Sequence, residues 1–161
     1  MCGWSRGHAG LVPLSEQLLS TAGSWHGTNA FRLMPTDEPY SARAIATVTP
    51  EPGDALSIRY TWVHPADGEQ RGLLVLADAG EGRVAALWID TWHQPTARVV
   101  ECEASPDGSA ALEYVYADVW RWQIEVRAGA DLRVTMRNVV PDVGEDFVGP
   151  YDAMLTELQR D

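Results

Sequence analysis

The chain contains no lysine: all 12 basic side chains are arginine. Schiff-base chemistry and a lysine general base are therefore excluded. Cysteine is nearly absent too, with only Cys2 and Cys102. Two such residues make no disulfide framework and have no metal-site spacing. Cys102, flanked by Glu101 and Glu103, reads as a buried inert thiol. No apolar run approaches the roughly 20 residues that span a bilayer. The opening Met1–Gly10 has no signal-peptide apolar block, so a cytoplasmic location is expected. Positive charge is scarce, 12 basic against 23 acidic residues for a net −11. That balance disfavours phosphate backbones and anionic membranes, and neither nucleic acid nor membrane is an expected partner. There is no Gly-x-Ser-x-Gly elbow, Cys-x-x-Cys or His-Glu-x-x-His. Gly80 and Gly82 flank Glu81 as a hairpin turn, not as a phosphate cradle.

What the chain does have is rhythm. Turn signals recur at Glu51–Asp54, Pro65–Gly68, Ala79–Gly82, Gln94–Thr96, Ser105–Gly108 and Ala128–Ala130. Short alternating segments between tight turns are the pattern of an antiparallel meander. Closing it into a barrel removes its exposed edges. The expected strands are Ser24–Leu33, Ala42–Thr49, Ala55–Val63, Gln70–Ala77, Arg83–Thr91, Ala97–Glu103, Ala110–Tyr116, Val119–Arg127 and Asp131–Asn138. The segment Phe147–Arg160 fits either helix or strand; closure of the barrel favours a strand. Leu14, Leu18 and Leu19, stopped by Gly23, predict one short helix near 14–21 against a barrel end. The 161 residues, 45% hydrophobic, thus predict an all-β, up-and-down barrel of about ten strands. A single domain is expected over 13–161, after a disordered lead-in over 1–12.

Alternation assigns faces. Trp120, Trp122, Ile124 and Val126 share one side of their strand, and Leu132, Val134 and Met136 one side of the next. A turn at 128–130 would set Glu125 opposite Arg133 and Trp122 opposite Met136. Leu56, Ile58, Tyr60, Trp62 and His64 point inward, as do Trp25, Gly27, Asn29, Phe31 and Leu33, and Leu112, Tyr114 and Tyr116. Ser57, Arg59 and Thr61 point out. The inward set is unusually aromatic and carries polar heads that a purely structural core does not need.

Trp88, Asp90 and Trp92 share a face. Desolvation between two indoles would raise the Asp90 pKa and suit acid–base work; the plainer reading is a hydrogen-bonded aspartate near the rim. His93 alternates away from Trp92, exposed, unless the strand end twists it into the barrel mouth. His64, before Pro65, lies near a rim, and His26 faces out. Met34–Pro39 is a solvated loop placed where a lid could lie. No histidine pair has ligand spacing, and no metal is expected.

Gly23-Ser-Trp-His-Gly-Thr-Asn29, Ala86-Leu-Trp-Ile-Asp-Thr-Trp-His93, Trp120-Arg-Trp-Gln-Ile-Glu125 and Met136-Arg-Asn-Val-Val-Pro141 together resemble a bacterial family of lipocalin-like, or calycin, barrels. The resemblance spans roughly 23–160 and implies a barrel like that of fatty-acid-binding proteins. Nitrobindins, more distantly similar, open with the same Gly-x-Trp-x-Gly and hold haem through a histidine near the C-terminus. Here 151–160 has none, so no cofactor is expected; His64 or His93 would need a different geometry. The expected function is binding of a small hydrophobic or aromatic ligand by Asn29, Tyr60, Trp62, His64, Trp88, Trp92, Tyr114, Tyr116, Trp120 and Trp122. The rival is an isomerase, cyclase or hydratase working on a hydrophobic metabolite, with Asp90 as acid or base, His93 or His64 as its partner and Tyr60 orienting the substrate. A homodimer through the outer sheet face is a third option.

Overall fold

The computed structural model describes residues 14–103, 109–139 and 149–161. Cys2, the side chain of Cys102 and the 1–12 lead-in lie outside the described residues, and so do the readings given to them. The one helix among the described residues, α1 (Glu16–Leu19), is shorter than the expected 14–21. Ser15 caps it, accepting from Leu18 N at 3.1 Å, and Ser20 already closes its other end. Leu14 and Leu18 are buried beneath it, and Trp25 Nε1 donates to Thr21 O at 2.9 Å. The helix thereby plugs the barrel end at which the first strand begins.

Ten strands follow: β1 (Gly23–Phe31), β2 (Tyr40–Glu51), β3 (Ala55–His64), β4 (Gly68–Gly80), β5 (Arg83–Asp90), β6 (Gln94–Glu103), β7 (Ala110–Tyr116), β8 (Trp120–Ala128), β9 (Leu132–Val139) and β10 (Tyr151–Arg160). All pairs are antiparallel, in the order β6-β5-β4-β3-β2-β1-β10-β9-β8-β7. The ambiguous tail is a strand, and it joins the two halves of the sheet. β6 and β7 approach one another, but no ladder joins them among the described residues. The barrel is nearly closed, with one seam.

Among the described residues two glycines are required by close approach. A Cβ on Gly27 would stand 2.0 Å from the Glu157 carbonyl oxygen of β10. The second glycine of Gly-x-Trp-x-Gly thus lets β10 come close to β1. A Cβ on Gly72 would stand 2.0 Å from Tyr60 Cζ. Gly72 pairs with Tyr60 on one side and Asp90 on the other, so the phenol crosses β4 where a side chain is missing.

Three sequence expectations need correction. The β8–β9 turn begins one residue later than predicted, with Ala128 opposite Leu132 and Gly129 N donating to Asp131 O. Glu125 therefore faces Thr135, and Trp122 faces Asn138 in place of Met136. The shift is an even number of residues, so every side chain keeps its face. Leu33 lies beyond the end of β1 and is 62% exposed, not inward. Gln94-Pro-Thr96 is strand, not turn; Pro95 is tolerated because β6 ends the sheet and owes no hydrogen bond on its free side. Ser57, assigned to the outer face, is nevertheless buried through its hydroxyl bond to Glu51.

The interior is filled for most of its length. Trp25, Ile58, Trp62, Leu74, Trp88, Ile124, Leu132 and Met136 are almost inaccessible to solvent. Burying each large side chain contributes on the order of 2–3 kcal/mol.

Candidate functional site

β1 runs away from α1, and antiparallel alternation brings the ends of β1, β3, β5, β7 and β9 to the opposite mouth. The aromatic residues gather there. Trp62 lies within 4.8–6.2 Å, centroid to centroid, of Phe31, His64, Trp92 and His93. Trp88 and Trp122 are parallel, 6.0 Å apart and tilted by 7°. Between them and β7 remains a cavity of about 160 Å³, lined by Trp88, His93, Gln94, Tyr114, Tyr116 and Trp122. It opens beside the β6–β7 seam. A larger hollow of about 450 Å³ lies on the outer face by Arg59, Arg71, Leu73 and Ile89, and the aromatic cluster does not line it.

Asp90 organises the cavity wall. It is fully buried, and Oδ2 accepts from Tyr60 Oη at 2.8 Å. Oδ1 accepts from the backbone N–H groups of Trp92 at 2.7 Å and His93 at 2.9 Å. The same oxygen lies 3.3 Å from His93 Nδ1. This aspartate-capped turn, not strand twist alone, draws His93 inside, where its side chain is 11% exposed. Tyr60 Oη in turn accepts from Trp88 Nε1 at 2.9 Å. One carboxylate thus fixes a phenol, an indole and an imidazole.

The electrostatics fit the plainer of the two readings of Asp90, a hydrogen-bonded aspartate, and not the raised pKa. Burial pushes the Asp90 carboxyl upward, but the His93 side-chain bond, the His93 charge and backbone N–H, and the Tyr60 hydroxyl outweigh it. Asp90 titrates below its ordinary value, not above it. Burial, and then the Asp90 charge, hold the Tyr60 phenol well above its usual range. Burial also raises Tyr114, to about 12, against the pull of the Arg98 charge. Asp90 is thus a standing anion. Among the described residues His93 Nε2 has no hydrogen-bond partner, which leaves it available to anything in the cavity.

The remaining predicted residues take distinct places. Trp92 Nε1 donates to Asp67 at 3.1 Å, and His64 Nδ1 accepts from the backbone of Ala66 and Asp67, so both serve the β3–β4 turn. Asn29 accepts from Thr156 Oγ1 at 2.8 Å between β1 and β10 and does not line the cavity. Trp120 is half-buried and touches Tyr116 by its ring, outside the lining. Tyr116 Oη donates to Asn138 Oδ1 at 2.6 Å, Asn138 Nδ2 to Tyr151 Oη at 3.2 Å, and Tyr151 Oη to Leu33 O at 2.7 Å. His26 faces out and pairs with Asp161. The 32–39 loop folds on itself, with Asp37 Oδ2 accepting from Met34 N at 2.9 Å.

Sequence reasoning missed three contributors. Gln94 was assigned to a turn, yet it lines the cavity and accepts from Tyr114 Oη at 3.2 Å across the seam. Arg98 places its guanidinium 4.7 Å from the Tyr114 ring centroid. Gly72 makes the Tyr60–Asp90 bond possible; a glycine at an inward position in the middle of a strand was the available signal. Among the described residues no three histidine, cysteine, aspartate or glutamate side chains gather as a metal site needs, and no helix is long and apolar enough to cross a membrane.

Fold and site define an almost closed, ten-stranded antiparallel β-barrel with an aromatic mouth. Among solved structures it is similar to Rv2717c from M. tuberculosis, with a TM-score of 0.57 and 16% identity over 92% of this chain and 99% of that one. At that identity the likeness concerns the fold. No family model matches the sequence, and no curated protein matches it.

Proposed function

We propose that this protein binds a small aromatic molecule, of about one ring, in the cavity between Trp88 and Trp122. The observation that carries the reading is the cavity itself: about 160 Å³, walled by indoles and phenols, with one imidazole edge presented to it. An apolar cavity of about 150 Å³ takes benzene. Sparse polar groups on aromatic walls are the usual lining of ligand sites. The volume suits a ring and not a tetrapyrrole, so the reading needs no haem and no other cofactor. The barrel, the Gly-x-Trp-x-Gly opening and the aromatic interior support a place near the calycins.

Titration of intrinsic tryptophan fluorescence with phenol, indole and benzyl alcohol tests the proposal, because Trp88 and Trp122 form two walls of the site. A ligand of about 9 heavy atoms, at about −0.6 kcal/mol per atom, would bind near 100 μM. Saturable quenching that Trp122→Ala removes is the expected result. No saturable change up to millimolar ligand would refute it.

One observation favours a second reading, acid–base catalysis on such a molecule. His93 Nδ1 faces Asp90 at 3.3 Å while Nε2 is unpartnered, the arrangement of a base held by an orienting carboxylate. The lowered Asp90 pKa makes His93 the proton carrier and Asp90 the positioning group. Asp90→Asn would then depress turnover while sparing ligand affinity; equal turnover in both proteins would remove this reading.

A further inference from the structure

The cavity region carries more hydrogen-bond donors than acceptors can satisfy. Trp122 lines it, is 8% exposed, and its Nε1 has no partner. Arg98 stands opposite Trp88 in the β5–β6 register, on the inner face, and its Nε is buried and unpartnered. Its guanidinium makes no ion pair or hydrogen bond among the described residues; it lies against the face of Tyr114, just behind the cavity wall that Tyr114 forms. The other described arginines behave differently. Arg71, Arg83, Arg121, Arg127, Arg133 and Arg137 pair with carboxylates. Arg32 and Arg160 bond backbone oxygens, and Arg43 and Arg59 are exposed on the outside. In a chain of net charge −11, an inward cation without a counterion is conspicuous. Arg98 as a whole is half-buried, so its charge is partly desolvated, and a carboxylate reaching it would supply the missing partner.

Resting on the ligand-binding reading above, we infer that the natural ligand is a small aromatic carboxylate whose ring occupies the cavity and whose carboxylate is taken by Arg98 and the Trp122 indole N–H. Arginine offers planar, bidentate recognition to such a group. Asp90 repels an anion, but it lies one inward position further along β5 than Trp88, about 7 Å of strand rise from the Arg98 level. Its charge is also engaged by Tyr60 and His93.

The test compares benzoate with its neutral counterpart benzyl alcohol by tryptophan fluorescence, in the native protein, in Arg98→Met and in Arg59→Met as a surface control. Methionine keeps an apolar stem against Tyr114, and an unchanged melting temperature establishes that the variant is folded. Expected is a preference for benzoate of tenfold or more, lost in Arg98→Met and kept in Arg59→Met, with benzyl alcohol binding equally to all three. Equal binding of benzoate and benzyl alcohol to the native protein would overturn the carboxylate assignment and leave the ligand-binding reading intact. A benzoate preference that survives Arg98→Met would do the same. Failure of both compounds to bind would overturn both.

Discussion

Replacing Gly72 with alanine should damage the protein far more than one methyl group suggests. The added Cβ would fall 2.0 Å from Tyr60 Cζ, 2.2 Å from its hydroxyl and 2.5 Å from Cε2. The ring must leave, and two bonds leave with it. The hydroxyl bond to the buried Asp90 anion is of a kind that contributes about 1.5–3 kcal/mol. Trp88 Nε1 loses its acceptor, and an unsatisfied buried donor costs about 1–3 kcal/mol. The sum is about 3–5 kcal/mol, which for a domain of this size lowers the melting temperature by roughly 10 °C. Urea denaturation of four proteins separates the causes: native, Gly72→Ala, Tyr60→Leu and the double variant. With leucine at 60 the obstruction is gone, so adding Gly72→Ala should change stability by less than about 0.5 kcal/mol. Tyr60→Phe retains the ring and should not rescue Gly72→Ala. If Gly72→Ala is harmless in the native background, or equally costly in both, the phenol does not cross β4 as described.

Three further outcomes are expected. Because the folded-state pKa of Asp90 lies below its unfolded value, its ionisation stabilises the fold fully above that unfolded value, near 3.8, and the contribution fades as pH falls through the folded one. Denaturation of native protein and Asp90→Asn from pH 7 to pH 2.5 should therefore show a stability gap that is constant above about pH 5 and narrows below pH 4; a gap that widens on acidification would contradict the sign. Gly27→Ala, which drives Cβ into a β10 carbonyl, should prevent β1–β10 pairing and yield unfolded or aggregated protein by circular dichroism. Spectrophotometric titration of phenolate should show Tyr114 ionising near pH 12, and Tyr114→Phe should remove a late step, not one near pH 10.

The barrel was legible because its information is local. Turns of glycine, proline and aspartate fall between alternating runs, and eight of the inward positions from Leu56 to Trp122 follow directly from parity: Leu56, Ile58, Tyr60, Trp62, Trp88, Leu112, Tyr114 and Trp122. Parity also survives an error in turn placement, so the β8–β9 hairpin could be two residues out of register while every face stayed correct. The site was less legible because its key contacts span non-adjacent strands. Tyr60 and Asp90 are 30 residues apart and meet only through the gap at Gly72. The direction of the Asp90 shift depended on donors, His93 and Tyr60, that only the folded turn brings within reach. Pro95 did carry a long-range message: a proline inside a strand marks an edge, and the seam lies there.

β1 and β10 occupy the middle of the ten-strand order, although they come from opposite ends of the chain, with Trp25 opposite Arg160. On a translating ribosome, the strands up to β9 can collapse only as two unconnected meanders, one of six and one of three. β10, made after all of them, is the keystone that locks one to the other. A nonsense codon anywhere in β10 would therefore leave two sticky fragments on one chain instead of a slightly shortened barrel.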